Sequence, residues 1–226
     1  MTDWSHAMGA YTKKLRLRDR KLTKTSIIHA ATEEFASCGP NGTSLNKIAR
    51  RAGCSKAIIY RYFGRKEDLY RHILLLNYAE LSRLEMMGKQ EEITSVEDLL
   101  IAILTDLFRF NLSHPAFARL VAWENLNGGK YLDATEAKSA REPGLQRLRA
   151  IFTKAKKMGL VRNDLDVNKF VYALQAITVV YFSNRYTMKL LTGIDFESPS
   201  TIDDFIRFYA SILAHGIANK KEEINE

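Results

Sequence analysis

Cysteine and proline are scarce, with two of the first and four of the second in 226 residues. Cys38 and Cys54 do not form a C-x-x-C pair and the five histidines are scattered, so no metal site is expected. Both thiols read as small buried groups in a reducing cytoplasm. Alternating apolar and polar runs bounded by turn signals are missing, which argues against sheet and for an all-α chain. The longest uncharged run, residues 170–184, covers 15 residues. A membrane span needs about 20, so a buried helix is expected there and no membrane partner. The N-terminus carries no apolar secretory core. Ser/His/Asp sets, paired-carboxylate motifs and phosphate loops are also lacking, so neither an enzyme nor a cofactor is expected.

Acidic residues are sparse in one region only. Residues 1–66 hold 14 Lys and Arg against four Asp and Glu, a net charge of +10, while the remainder holds 20 against 22, or −2. A basic block joined to a near-neutral one points to a polyanionic partner for the first block. Charge serving only solubility is the alternative. Residues 1–22, with Lys13, Lys14, Arg16, Arg18, Arg20 and Lys21, read as a basic flexible arm, either solvated or touching nucleic-acid phosphate.

Beyond the arm the pattern is helix after helix, about nine or ten in all. A first helix over residues 24–38 carries the stripe Ile27, Ile28, Ala31 and Phe35, and Gly39-Pro40 stops it. Two short helices follow, residues 45–52 and 56–62, with Ser44 and Ser55 placed to cap them. A long helix restarts near Lys66. Further on, Pro143-Gly144 is expected to interrupt a helix, and Asp166 to open a long one.

The two short helices carry the functional signal. Neither is long enough to be stable alone in water. Ile48 and the small Ala49 suit the inner face, Gly53 suits a turn, and Cys54, Ile58 or Ile59, and Tyr62 or Phe63 return to the core. This is a helix-turn-helix, and its second helix would enter the DNA major groove N-terminus first. Ala57 and Ile58 would meet thymine methyls and Lys56 a base edge or a phosphate, while Ser44, Tyr60, Arg61, Tyr62 and Lys66 would meet phosphates. The expected partner is double-stranded DNA.

The runs IARRAGCSK (48–56), IYRYF (59–63) and KEDL (66–69) resemble the N-terminal domain of the tetracycline-repressor (TetR) family over about residues 24–72. Cys54 replaces the more usual valine. The resemblance implies a three-helix DNA-binding head over residues 23–66 and a helical ligand-binding and dimerisation body over residues 67–226. It also implies a cytoplasmic homodimer on an inverted-repeat operator. In such proteins a small molecule bound in the body tilts the fourth helix and frees the heads from successive grooves.

In the body, Ala210, Ala214 and Ala218, with Leu213 and Ile217 beside them and residues 177–182 opposite, suggest a dimer seam; ordinary intrachain core is the alternative. Phe108, Trp123, Glu124, Tyr181 and Asn184 are the candidate ligand contacts, because pockets combine aromatic walls with few polar groups. The expected function is a repressor released by a small-molecule effector of unknown identity. A factor of the same fold without an effector, architectural or in cell division, is the alternative.

Overall fold

The computed structural model describes residues 3–87 and 94–219. Among them the regular structure is nine helices: α1 (Asp3–Gly42), α2 (Leu45–Arg51), α3 (Lys56–Phe63), α4 (Lys66–Met87), α5 (Val96–Ser113), α6 (Phe117–Leu126), α7 (Ala134–Lys157), α8 (Val167–Thr192) and α9 (Pro199–Ile217). One isolated extended bridge joins Val161 and Ala218. The chain divides into two compact units, Met1–Leu74 with Arg119–Leu132, and Leu75–Ala118 with Asp133–Glu226.

In the first unit α1 begins at Asp3, so the stretch expected as an arm has helical backbone from that residue on. The side chains of its basic cluster before Lys21 lie outside the described residues. Gly39 breaks the helical conformation with φ +68°, ahead of Pro40. The core consists of Ile27, Ala31 and Phe35 from α1, Ile48 from α2, Ile59 from α3, and Leu69 and Tyr70 from α4, all buried. Burying each large side chain contributes about 1.5–3 kcal/mol. That contribution holds α2 and α3, of 7 and 8 residues, which local propensity cannot stabilise. Buried Glu34 ties α1 to α2 through Lys47 at 3.5 Å and Arg51 at 3.6 Å.

Residues 119–132 fold with this unit, a membership the sequence did not suggest. The Trp123 indole lies against Gly39, where a Cβ would come within 2.7 Å of the ring, and its Nε1 donates to the Ala36 carbonyl at 3.2 Å. Tyr70 donates to the Leu120 carbonyl at 3.3 Å and meets Tyr131 edge-on.

In the second unit α7 is one helix of 24 residues, and Pro143-Gly144 does not interrupt it. A proline removes one helix donor and crowds the turn before it. Here Ser82 of α4 donates to the Arg141 carbonyl at 3.0 Å and accepts from Gly144 N at 3.3 Å, which satisfies polar groups around the proline. Gly144 gives α4 room: a Cβ there would lie 2.9 Å from Ser82 Cα. Arg141 closes the contact with a two-pronged, largely buried ion pair to Glu85, at 2.7 and 3.1 Å.

The alanine stripe of α9 faces inward. Ala210, Ala214 and Ile217 are buried, and α9 packs chiefly along α5. The expected small-residue seam is therefore intrachain core, because close approach is used between α9 and α5. The two cysteines are free and half-buried rather than fully buried.

Candidate nucleic-acid interface and body cavity

The elbow forms as the spacing requires. Gly53 turns the chain with φ +64°, and Cys54 N donates to the Ala49 carbonyl at 3.0 Å. Ser55 caps α3 by accepting from Ile58 N, whereas Ser44 occupies the cap position of α2 without a side-chain cap bond. Inward, α3 buries Ile59 completely. Outward, Lys56, Ala57, Tyr60 and Arg61 are exposed and Ile58 is half-buried. Each of the eight sequence-predicted DNA contacts thus keeps some exposed surface.

At the far end of α3, Tyr62 lies between two cations. Arg61 stands 4.9 Å and Lys24 of α1 5.3 Å from its ring centre. Lys24 is a cation at this edge that the sequence pattern did not single out, since only folding brings α1 against α3. Burial and the Lys24 charge together hold His72 below the usual imidazole range, so the ring against Phe63 stays neutral at pH 7. Lys66 is half-buried, its Nζ 3.5 Å from the Thr43 carbonyl. Gly64 (φ +77°) ends α3, and Asp68 then caps α4 by accepting from Arg65 N at 2.9 Å. The surface therefore combines the exposed Lys56 and Ala57 at the start of α3 with hydroxyls and cations at its end.

The second unit contains a cavity of about 560 Å³ between α8 and α9. Its walls are mainly apolar and include Ile177, Val180, Phe196 and Phe205, with Asn184, Thr187 and Tyr209 as polar groups. Tyr181 lines it too and donates to the Phe196 carbonyl at 2.9 Å. Burial, with smaller effects of Tyr209 and Asp195, pushes the Tyr181 hydroxyl up to about 12, so it stays a neutral donor. Phe108 packs behind Tyr181 with ring centres 4.9 Å apart.

The fold thus brings Tyr181 and Asn184 into one cavity, with Phe108 behind them. Trp123 and Glu124 belong to the first unit instead. Glu124 is buried and accepts from Tyr131 N at 2.8 Å and Leu132 N at 3.1 Å. Arg185, a polar pocket candidate from the sequence, is buried, pairs with Glu197 at 3.1 Å and lines a second cavity of about 100 Å³ with Asn111 and Phe182. No local signal marks such a long-range pair. Among the described residues no helix is long and apolar enough to cross a membrane, and no group of His, Cys, Asp or Glu could hold a metal.

A helix-turn-helix with an exposed basic second helix, in a chain that continues into a helical bundle, defines a two-part DNA-binding regulator. Residues 27–73 match the family described as bacterial regulatory proteins, tetR family, and residues 96–212 match the tetracyclin repressor-like C-terminal domain. The chain belongs to the TetR family of transcriptional regulators. It is 25% identical to the HTH-type transcriptional repressor NicS of Pseudomonas putida over 206 residues, covering 90% of this chain and 96% of that one. It is 26% identical to the HTH-type transcriptional repressor SCO4008 of Streptomyces coelicolor over 160 residues, 71% of this chain and 78% of that one. A TetR family transcription regulator from Marinobacter aquaeolei shares the fold, with a TM-score of 0.66 at 19% identity over 91% of this chain and all of that one.

Proposed function

We propose that this sequence-specific DNA-binding regulator is a homodimeric repressor, released from an inverted-repeat operator by an apolar small molecule bound between α8 and α9. The observation that carries the effector is the cavity of about 560 Å³, within the roughly 300–1,000 Å³ typical of ligand sites. An effector-free factor of this fold would have a filled body. Repression is supported by the two relatives named as repressors.

The dimer seam is the outer face of α8 and α9. Tyr172 and Val180 on α8 and Phe208 and Ile212 on α9 are exposed, an unusual density of bare apolar residues on two neighbouring helices. Val180 belongs to both that face and the cavity wall. Filling the cavity would then alter how two copies meet, and with it the distance between two heads that must read successive grooves. The DNA contacts are Lys56, Ala57 and Ile58 to bases and Ser44, Tyr60, Arg61, Tyr62 and Lys66 to phosphates.

The test is to select bound duplex from a random pool, then add apolar compounds of cavity size. Release by at least one compound, reduced by Ala176→Leu with duplex affinity unchanged, supports the reading. Release that ignores Ala176→Leu moves the effector to another site.

A further inference from the structure

The cavity between α8 and α9 is lined unevenly. Ile177, Val180 and Met188 give it an aliphatic part on α8, and Tyr181, Phe196, Phe205 and Tyr209 give it an aromatic part. Those rings adjoin one another. Tyr181 lies 5.3 Å from Phe205, Phe196 is stacked 5.4 Å from Phe205, and Phe205 lies 5.7 Å from Tyr209, centre to centre. Among the described residues the lining holds no Asp, Glu, Lys or Arg. The ionic groups nearest in sequence are already paired, Lys189 with Asp195 at 3.0 Å and Arg185 with Glu197 at 3.1 Å. Polar groups in the wall are few and mostly committed. Tyr181 donates to the Phe196 carbonyl and Thr187 to the Asn184 carbonyl, each at 2.9 Å. Tyr209 differs: its half-buried hydroxyl makes no hydrogen bond among the described residues. Burial also pushes that hydroxyl above its ordinary range, so it remains a neutral donor at pH 7.

We propose that the effector is an uncharged, planar aromatic compound whose hydrogen-bond acceptor, a carbonyl or a ring nitrogen, receives the Tyr209 hydroxyl. The inference rests on the reading that this cavity holds the effector, and it adds the chemistry of that ligand. Each part follows from the wall. Flat rings gain from offset or edge contact with Phe196, Phe205 and Tyr209 beyond the area they bury. An aliphatic compound of similar size buries comparable area without that gain. An acceptor gives the Tyr209 hydroxyl the partner that the fold does not supply, whereas a pure hydrocarbon strips it of water and leaves it unpaired. An ion would lose its water and meet no opposite charge in the lining, which is costly.

The experiment uses four probes. Fluorenone is planar, uncharged and bears a carbonyl. Fluorene has the same frame with a methylene in its place. Cyclododecanone is an aliphatic ring ketone, and a fluorenone carboxylate adds a charge. Dissociation constants are measured by equilibrium dialysis on the natural full-length protein and on Tyr209→Phe, Phe205→Leu and Ala176→Leu. Tyr209→Phe should weaken fluorenone binding about two- to tenfold, the size of one hydrogen bond, and leave fluorene unchanged. Phe205→Leu should weaken fluorenone and fluorene by about two- to tenfold, the size of a ring contact, and leave cyclododecanone unchanged. The carboxylate should bind the natural protein about tenfold or more weakly than fluorenone. Ala176→Leu, which fills the cavity, should weaken all of them.

The same effect of Tyr209→Phe on fluorenone and fluorene, or none on either, overturns the proposal. So does an equal effect of Phe205→Leu on the aromatic and aliphatic ketones, tightest binding by the carboxylate, or no binding of fluorenone. In each of these cases the cavity remains the effector site if another apolar compound releases the duplex and Ala176→Leu reduces that release. Probe binding that ignores Ala176→Leu puts the probes elsewhere and removes the cavity reading together with the proposal.

Discussion

Gly39 and Gly53 adopt nearly the same left-handed backbone, φ +68° and +64°, yet their surroundings differ. A Cβ on Gly53 meets nothing within 4 Å, while one on Gly39 runs into the Trp123 ring. The conformational cost of a non-glycine residue there is about 1–2 kcal/mol. Gly53→Ala should therefore lower stability in denaturant unfolding by about that much. Gly39→Ala should lower it by about 2 kcal/mol or more, because a steric conflict is added. Equal losses would mean that the Trp123 contact does not constrain Gly39. Tyr60, on the exposed face of α3, tests recognition at the same scale. Tyr60→Phe should weaken binding to all duplexes by a similar factor, about 0.5–1.5 kcal/mol for one hydrogen bond, without altering sequence preference. A changed preference in a selection experiment would instead place that hydroxyl on a base.

At the scale of the element, α9 separates two surfaces that look alike in sequence. Its Ala210 and Ala214 face is buried, whereas Phe208 is 57% and Ile212 50% exposed. Ile212→Glu should therefore give a folded monomer by sedimentation, with poor operator affinity. Ala214→Glu should instead unfold the chain, since it places a charge in the core. A dimeric Ile212→Glu protein would exclude this face as the seam. In α7, Arg141→Met leaves Glu85 buried and unpaired and should cost about 3–5 kcal/mol, read as a lowered melting temperature.

The elements also show what was legible in the sequence. The elbow of α2 and α3 was readable because its signals are local: Ala49, Gly53, the Ser55 cap and the aromatic exit lie within one short stretch. Pro143-Gly144 misled because the groups that accommodate it, Ser82 and Glu85, lie some 60 positions away. The alanine stripe was correctly read as a close-packing face, but periodicity alone does not say which neighbour it meets. Trp123 and Glu124 were seen as an aromatic and an acid of the body; only the fold reveals that both serve the head, one against Gly39 and one at the turn before Tyr131.

For the whole molecule, charge and packing are divided along the chain. The basic excess belongs to the segment that carries the elbow, and the apolar cavity lies in the other unit, in a segment with almost no net charge. Such a division suits a regulator whose one part meets a polyanion while the other responds to an apolar molecule. A dimer would also make recognition geometric, since two α3 helices can read one duplex only at half-sites about one helical turn apart, roughly 34–36 Å.

The most direct measurement is selection of duplex DNA from a random pool by the purified full-length protein, repeated with Lys56→Ala. If α3 lies in the major groove with Lys56 at the base edges, the natural protein enriches an inverted repeat of that spacing and the variant enriches a repeat with relaxed preference at one symmetric position. Recovery of no common sequence, or the same sequence with the same preference from both proteins, would contradict that placement of α3.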